Sequence, residues 1–280
     1  MITKSTKKCA LCGSNKTNLV EQKVKDFVSL EFFDIYSCSS CLVSYTNPIP
    51  KNLEKYYNQE NYDSYQKKKG VFSYIYSLIQ HINNRYKTNI IKRYGFGPLL
   101  DYGAGSGSFV KHANRVGYKS LGYEPINKSL NRNITNNIEV IKKSKYKIIT
   151  LWHVLEHTKK PKELLLTIKS FLSKKGKVVI AVPNIDSYDN IYYNKRWAGY
   201  DVPRHVYHFN KKSLKRLLSE VKLSIIDQKP LYFDSFYVAM LSEKQKKNPL
   251  WFFFGFFIGL VSNISAFFTK KHSSIIYIIE

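Results

Sequence analysis

The sequence predicts an α/β fold built on a largely parallel sheet, preceded by a small metal-binding module. Three observations carry this. From Pro98 onward, short apolar runs alternate with helical segments, the pattern of successive βαβ units. The first of those runs ends in the glycine-rich turn Asp101-Tyr-Gly-Ala-Gly-Ser-Gly107, which opens a helix. All four cysteines lie in the first 41 of 280 residues, as two CxxC pairs. A hydrophobic content of 44% supplies a core and excludes a disordered chain.

Residues 1–47 read as a zinc ribbon-like module. Cys9 and Cys12 form one knuckle, Cys38 and Cys41 the other, with 25 residues between the pairs to build the ribbon that brings them together. Four thiolates fill a tetrahedral Zn²⁺ sphere and leave no open position, so this metal is expected to hold the fold rather than react. Two prolines in Asn47-Pro-Ile-Pro50 mark a boundary. Residues 48–97 form a connector and leading helix: a polar stretch carrying Tyr56, Tyr57, Tyr62 and Tyr65, then an amphipathic helix over Val71–Tyr94. Its apolar positions Phe72, Ile75, Leu78, Ile79, Ile82, Tyr86 and Ile90 recur at three- and four-residue steps.

Residues 98–280 hold the main domain. Leu99–Tyr102, Ser120–Glu124, Ile138–Ile141, Ile148–Trp152 and Lys177–Val182 read as its first five strands, Leu223–Tyr232 as the sixth and Ser274–Ile279 as the last. Helices are expected over Phe109–Val116, over Pro161–Leu172, with proline in its first turn and Gly176 beyond its end, and over Lys211–Val221. An apolar helical insertion at about 245–270 separates the last two strands; within it Trp251–Phe268 is free of charge, and Lys244, Lys246, Lys247, Lys270 and Lys271 flank it. A helical hairpin there, covering the active site or touching a membrane surface, fits better than a spanning helix, because Ser262, Asn263 and Ser265 dilute its second half.

In the turn, Gly103, Gly105 and Gly107 permit positive φ and close backbone approach to a ligand, and the helix behind them offers free N–H groups. The spacing is GxGxG, since Ser108 stands where a dinucleotide fingerprint has its third glycine, so a pyrophosphate is disfavoured. Glu124 ends the next strand, where a carboxylate can accept hydrogen bonds from both hydroxyls of a ribose. His153, Glu156 and His157 also spell HxxEH, a metallopeptidase pattern. That chemistry requires a helix, whereas this motif leaves a strand and meets Pro161 almost at once.

These residues resemble class I S-adenosylmethionine-dependent methyltransferases. The likeness extends to Trp152-His-Val-Leu-Glu-His157 and Ala181-Val-Pro-Asn184. It is nearest to a bacterial type 11/12/23-like group that joins a four-cysteine zinc module to the methyltransferase core. Tyr56-Tyr57 with Tyr62, and Trp197-Ala-Gly-Tyr-Asp-Val-Pro-Arg-His-Val-Tyr-His-Phe209, carry that part of it. The resemblance implies a Rossmann-like seven-stranded sheet of order 3-2-1-4-5-7-6, only the last strand antiparallel, with helices on both faces. S-adenosylmethionine would lie across the carboxyl ends of strands one, two and four. Asp101 and the three glycines would face its methionine part and Glu124 its ribose, with Trp152 and His153 lining the pocket. The segment Asn137–Lys145 is read as a departure, offering no acid to the adenine amine.

Arg204, His205 and His208 fall between strand five and the next helix, where an acceptor must enter; either a histidine there takes a proton as the methyl group moves, His205 being favoured over His208, or Asp201-Val-Pro-Arg204 forms a buried turn and the imidazoles cap backbone groups. The expected function is methyl transfer to an oxygen or carbon of a small-molecule, sugar, quinone-like or lipid-linked acceptor. The alternatives are an RNA methyltransferase and a non-catalytic cofactor-binding module. A formal net charge of +25 favours a polyanion. Yet lysine is spread along the whole chain, and Leu151-Trp-His-Val replaces the Pro-Pro-aromatic motif that holds a flipped base, so nucleic acid is disfavoured. The first twenty residues carry no secretory signal, and the paired cysteines suit a reducing cytoplasm, with membrane contact through 250–268.

Overall fold

The computed structural model describes residues 7–57, 71–126 and 133–280, with side chains from 77 onward in the leading helix. Tyr62 and Tyr65, and the side chains of Phe72 and Ile75, therefore lie outside the described residues.

A four-stranded antiparallel sheet comes first, of order β1-β2-β3-β9: β1 (Thr17–Lys25), β2 (Phe32–Cys38), β3 (Ser44–Asn47) and β9 (Tyr207–His208). The fourth strand arrives from far along the chain, with Ser44 paired to His208 and Tyr45 to Tyr207. Two residues are too few to show periodicity in the sequence.

The leading helix α1 spans Val71–Ile91. Ile90 and Ile91 at its end are buried, whereas Leu78, Ile79 and Ile82 are exposed, so among the described side chains it is the C-terminal part of the expected apolar face that meets the core. A seven-stranded sheet follows, built from β4 (Pro98–Tyr102), β5 (Lys119–Tyr123), β6 (Ile134–Thr135), β7 (Tyr146–Trp152), β8 (Leu172–Pro183), β10 (Ile225–Pro230) and β11 (Ser274–Ile279). Its order is β10-β11-β8-β7-β4-β5-β6, and β11 alone runs antiparallel to its neighbours. Counted within the domain, this is the 3-2-1-4-5-7-6 order that the resemblance implies. β11, the middle of β7 and the second half of β8 are mostly apolar and buried because helices cover both faces. Those helices are α1, α2 (Ser108–Arg115), α3 (Ile138–Lys142), α4 (Pro161–Phe171), α5 (Tyr188–Tyr193) and α6 (Lys211–Glu220), the last opened by a capping box between Asn210 and Ser213.

One element is corrected. Ile138–Ile141, expected as a strand, is helix α3; the Asn137 side chain accepts from the Glu139 N–H at 2.9 Å, and Glu139 favours the first turn. The third strand is the earlier pair Ile134–Thr135. Glu139, the acid of Asn137–Lys145, is exposed and paired with Lys142 at 2.6 Å.

Between β10 and β11 the chain forms a helical hairpin, α7 (Tyr232–Gln245) and α8 (Trp251–Thr269). The helices approach so closely that a Cβ on Gly255 would lie 2.4 Å from the Met240 Cα, and one on Gly259 2.7 Å from the Phe236 Cα. The polar residues of α8 turn inward: Ser262 donates to Asp189 at 2.8 Å and Asn263 to the Tyr232 carbonyl at 3.1 Å. The outward face carries Phe253, Phe257, Leu260, Ile264, Phe267 and Phe268, all exposed. Among the described residues α8 is the one helix long and apolar enough to cross a membrane.

Candidate cofactor and acceptor site

The parallel strands end on one edge of the sheet, and the loops there bring the expected cofactor residues together. Asp101, near the end of β4, is 2% exposed and its Oδ1 accepts from Thr150 Oγ1 at 2.7 Å. Burial pushes its carboxyl up to about 6, with the Thr150 hydrogen bond and Lys87 opposing and Glu124 adding to the rise. The carboxylates of Asp101 and Glu124 therefore feel one another.

Gly103, Gly105 and Gly107 all have positive φ, at 78°, 53° and 75°. Gly103 has no room for a side chain, since a Cβ would meet Val154 at 2.5 Å, whereas a Cβ on Gly105 would meet nothing within 4 Å. The turn thus presses its backbone against the loop after β7 and opens at Gly105 onto free space, a cradle of the kind a nucleoside needs. Glu124 reaches back to it: its Oε2 accepts from the Gly105 N–H at 2.8 Å and its Oε1 from the Ile126 N–H at 3.2 Å.

On the other side stand Trp152 and His153. The buried Trp152 Nε1 has no hydrogen-bond partner among the described residues, and its ring meets Phe109 edge-on at 5.2 Å and the Lys87 ammonium at 4.5 Å. His153 has φ 55°, a strained backbone for a residue with a side chain, and bridges two carboxylates: Nδ1 to Glu156 Oε1 at 3.1 Å and Nε2 to Asp234 Oδ2 at 2.9 Å. Burial alone would lower its pKa, but Asp234 and Glu156 outweigh that and raise it to about 10, so the ring is an imidazolium at neutral pH. Asp234 sits in the first turn of α7, which ties the hairpin to the cofactor edge. The separation of 81 residues hides that contact from sequence reading; an acid next to an aromatic helix start was the one available sign.

A family model described as a methyltransferase domain matches residues 79–228, more than half of the chain. The chain belongs to that methyltransferase family. With the fold and the pocket, this makes it an S-adenosylmethionine-dependent methyltransferase. Among curated proteins none matches. Of solved structures, the methyltransferase is similar to a SAM-dependent methyltransferase from Archaeoglobus fulgidus at 19% identity, covering 71% of this chain and 92% of that one with a TM-score of 0.43. A cyclopropane-fatty-acyl-phospholipid synthase-like protein from Lactobacillus casei is 11% identical over 71% and 90% of the two chains, with a TM-score of 0.46. For a phosphoethanolamine N-methyltransferase from Haemonchus contortus the identity is 14%, the coverage 70% and 52%, and the TM-score 0.43.

The methyltransferase's four cysteines converge as a cluster. Cys9 Sγ lies 3.6 Å from Cys41 Sγ, and Cys12 Sγ 3.6 Å from Cys38 Sγ. A tetrahedron of sulfurs about 2.3 Å from one Zn²⁺ has edges of about 3.8 Å, so the set fits that ion.

The residues expected at the acceptor side occupy the joint between the two sheets. Arg204 is 3% exposed; its guanidinium donates to Asp201 Oδ1 at 2.7 Å, to Asp26 Oδ1 at 2.8 Å and to the Tyr56 carbonyl at 3.3 Å. His208 is buried, with Nε2 3.0 Å from Thr46 Oγ1, and burial together with His205 lowers it to about 3, so it stays neutral. His205 sends Nδ1 to the Gly199 carbonyl at 2.9 Å and stacks edge-on against His157, ring centroids 4.6 Å apart. Arg204 and His208 are thus engaged by protein groups, and His205 is the one turned toward the loop after β7. Sequence reading missed Lys87, Thr150 and Asp234, each of which acts on a site residue only through the fold. A separate open groove of about 580 Å³ runs between β1–β2 and residues 185–212, lined by Glu21, Asp186, Asn190, Asn194, Tyr200 and Lys212 among others.

Proposed function

We propose that this methyltransferase modifies an oxygen or carbon of an acceptor held at a membrane surface, a lipid-linked or similarly apolar molecule. The carrying observation is the His153–Asp234 contact. It roots the α7–α8 hairpin in the cofactor pocket while the hairpin presents an aromatic face outward. The five flanking lysines suit anionic headgroups. S-adenosylmethionine supplies an electrophilic methyl group on a sulfonium, which passes to an in-line nucleophile. The protein's part is positioning first, with proton removal needed only for a poorly acidic acceptor. Asp101 would accept from the amino group of the methionine part, Glu124 would give up its backbone partners for ribose hydroxyls, and Trp152 and His153 would line the pocket. His205 is placed for contact with the acceptor through Nε2, and Arg204 and His208 act as positioning residues for the segment that carries it. A structural Zn²⁺ on Cys9, Cys12, Cys38 and Cys41 holds the first sheet.

Incubation of the purified protein with isotopically labelled S-adenosylmethionine, and separately with total lipid and with water-soluble metabolite extracts, tests this reading. Label is expected in the lipid phase. Label confined to water-soluble products contradicts the acceptor class, and label in neither phase, with the cofactor bound, favours a non-catalytic module. The charge of +25 supports a second reading, RNA as acceptor. An RNA complex that persists near physiological salt would favour it.

A further inference from the structure

The loop after β7 gathers three groups whose arrangement the cofactor pocket does not account for. Glu156 is 1% exposed; its Oε1 engages His153, but its Oε2 is buried with no hydrogen-bond partner among the described residues. A buried carboxylate oxygen with nothing to accept from costs folding free energy, so it points to a ligand. Beside it are His157 and His205, and one ligand atom from each of the three lies within 4.8 Å of the others.

Both imidazoles are oriented in the same way. His157 Nδ1 lies 3.1 Å from the Arg204 carbonyl and 2.9 Å from Tyr57 Oη, and His205 Nδ1 lies 2.9 Å from the Gly199 carbonyl. A carbonyl oxygen only accepts, so each Nδ1 carries the proton and each Nε2 keeps its lone pair. That is how metal-bound histidines are held: a backbone acceptor fixes the tautomer and aims the opposite nitrogen. The half-buried His157 leaves a way in, and Asp201 Oδ2, 4.0 Å from His205 Nε2, adds negative charge nearby.

We propose that Glu156, His157 and His205 form a divalent-cation site, two imidazoles and one carboxylate, independent of the four-cysteine cluster. Such a set suits Mn²⁺, Fe²⁺, Co²⁺ or Zn²⁺ and leaves coordination positions open to an oxygen ligand. Val154, packed on Gly103, sets this loop against the cofactor turn. Resting on the proposed function, the open positions would take a hydroxyl or carbonyl oxygen of the acceptor, with His205 meeting it through the ion.

The test uses the full chain, its cysteines loaded with zinc, titrated with Mn²⁺ in the absence of cofactor and acceptor and followed by electron paramagnetic resonance and calorimetry. Mn²⁺ competes poorly for thiolates, so the zinc stays in place. One Mn²⁺ per chain is expected to bind, and Glu156→Gln and His205→Ala are each expected to weaken it at least tenfold while zinc content is unchanged. Retained zinc reports that a variant is folded; if His205→Ala loses it, the near-isosteric Glu156→Gln decides. No Mn²⁺ binding by the unaltered protein, or unchanged affinity in Glu156→Gln, overturns the site. Because neither cofactor nor acceptor is present, either result leaves the methyltransferase reading standing.

Discussion

Asp101 shows how a single residue sets function against stability. Its carboxyl is raised by burial to about 6, against an ordinary value near 3.8, so the folded protein binds that proton more tightly than the unfolded chain. Its ionisation therefore penalises folding as pH rises from about 4 to 6, and at neutral pH the penalty reaches about 3 kcal/mol. Asp101→Asn keeps an oxygen to accept from Thr150 and removes the charge. Thermal unfolding of the variant is expected at higher temperature than the unaltered protein at pH 7.5 and close to it at pH 4.5, with cofactor affinity lost; an equal gap at both pH values contradicts the assigned cause. Arg204 behaves oppositely. Its guanidinium is the shared partner of the buried Asp26 and of Asp201, so Arg204→Met leaves carboxylates uncompensated in the joint, and denaturant unfolding is expected to show a loss of about 3–5 kcal/mol. Motif residues such as Asp101, Gly103 and Glu124 were legible because their chemistry is local to a strand end. Arg204 was legible as important but not as a clamp, because its partner Asp26 stands 178 residues away.

Elements were readable to the degree that they are long and regular. Ser274–Ile279 matches its expected span because a run of six apolar-rich residues between polar ones admits little else. The two-residue β6 and β9 are too short to leave a period, and Ile138–Ile141 misleads because Ile-Glu-Val-Ile alternates like a strand while its cap and first-turn acid make a helix. The hairpin tests the packing argument. Gly259→Leu places a side chain where the Phe236 backbone stands 2.7 Å from a Cβ, and overpacking there is expected to lower stability by about 1–3 kcal/mol in denaturant titrations. An unchanged midpoint contradicts the close approach of α7 and α8. A zinc ion on the four cysteines would hold the first sheet in the same way. Because β3 pairs with β9, removing zinc with a chelator is expected to lower the melting temperature of the whole chain and to red-shift tryptophan emission as the buried Trp197 is exposed.

At the scale of the molecule, the sheet that follows the four-cysteine cluster and the methyltransferase sheet share one buried joint, and the hairpin turns an exposed aromatic row outward. Charge alone did not reveal this, since +25 spread over 280 residues says nothing of which face meets a partner. We propose the exposed aromatic row on α8 as that face. Replacing Phe253, Phe257 and Phe267 together with serine is expected to reduce co-sedimentation with anionic vesicles at least tenfold without altering cofactor binding; unchanged co-sedimentation would assign the interaction to charge alone. The account as a whole stands on the pocket formed by Asp101, the glycine turn and Glu124. Calorimetric titration of the purified chain with S-adenosylmethionine and with NAD tests it most directly. Saturable binding of S-adenosylmethionine that Glu124→Ala weakens, and none of NAD, is the result expected; binding of NAD without binding of the sulfonium contradicts it.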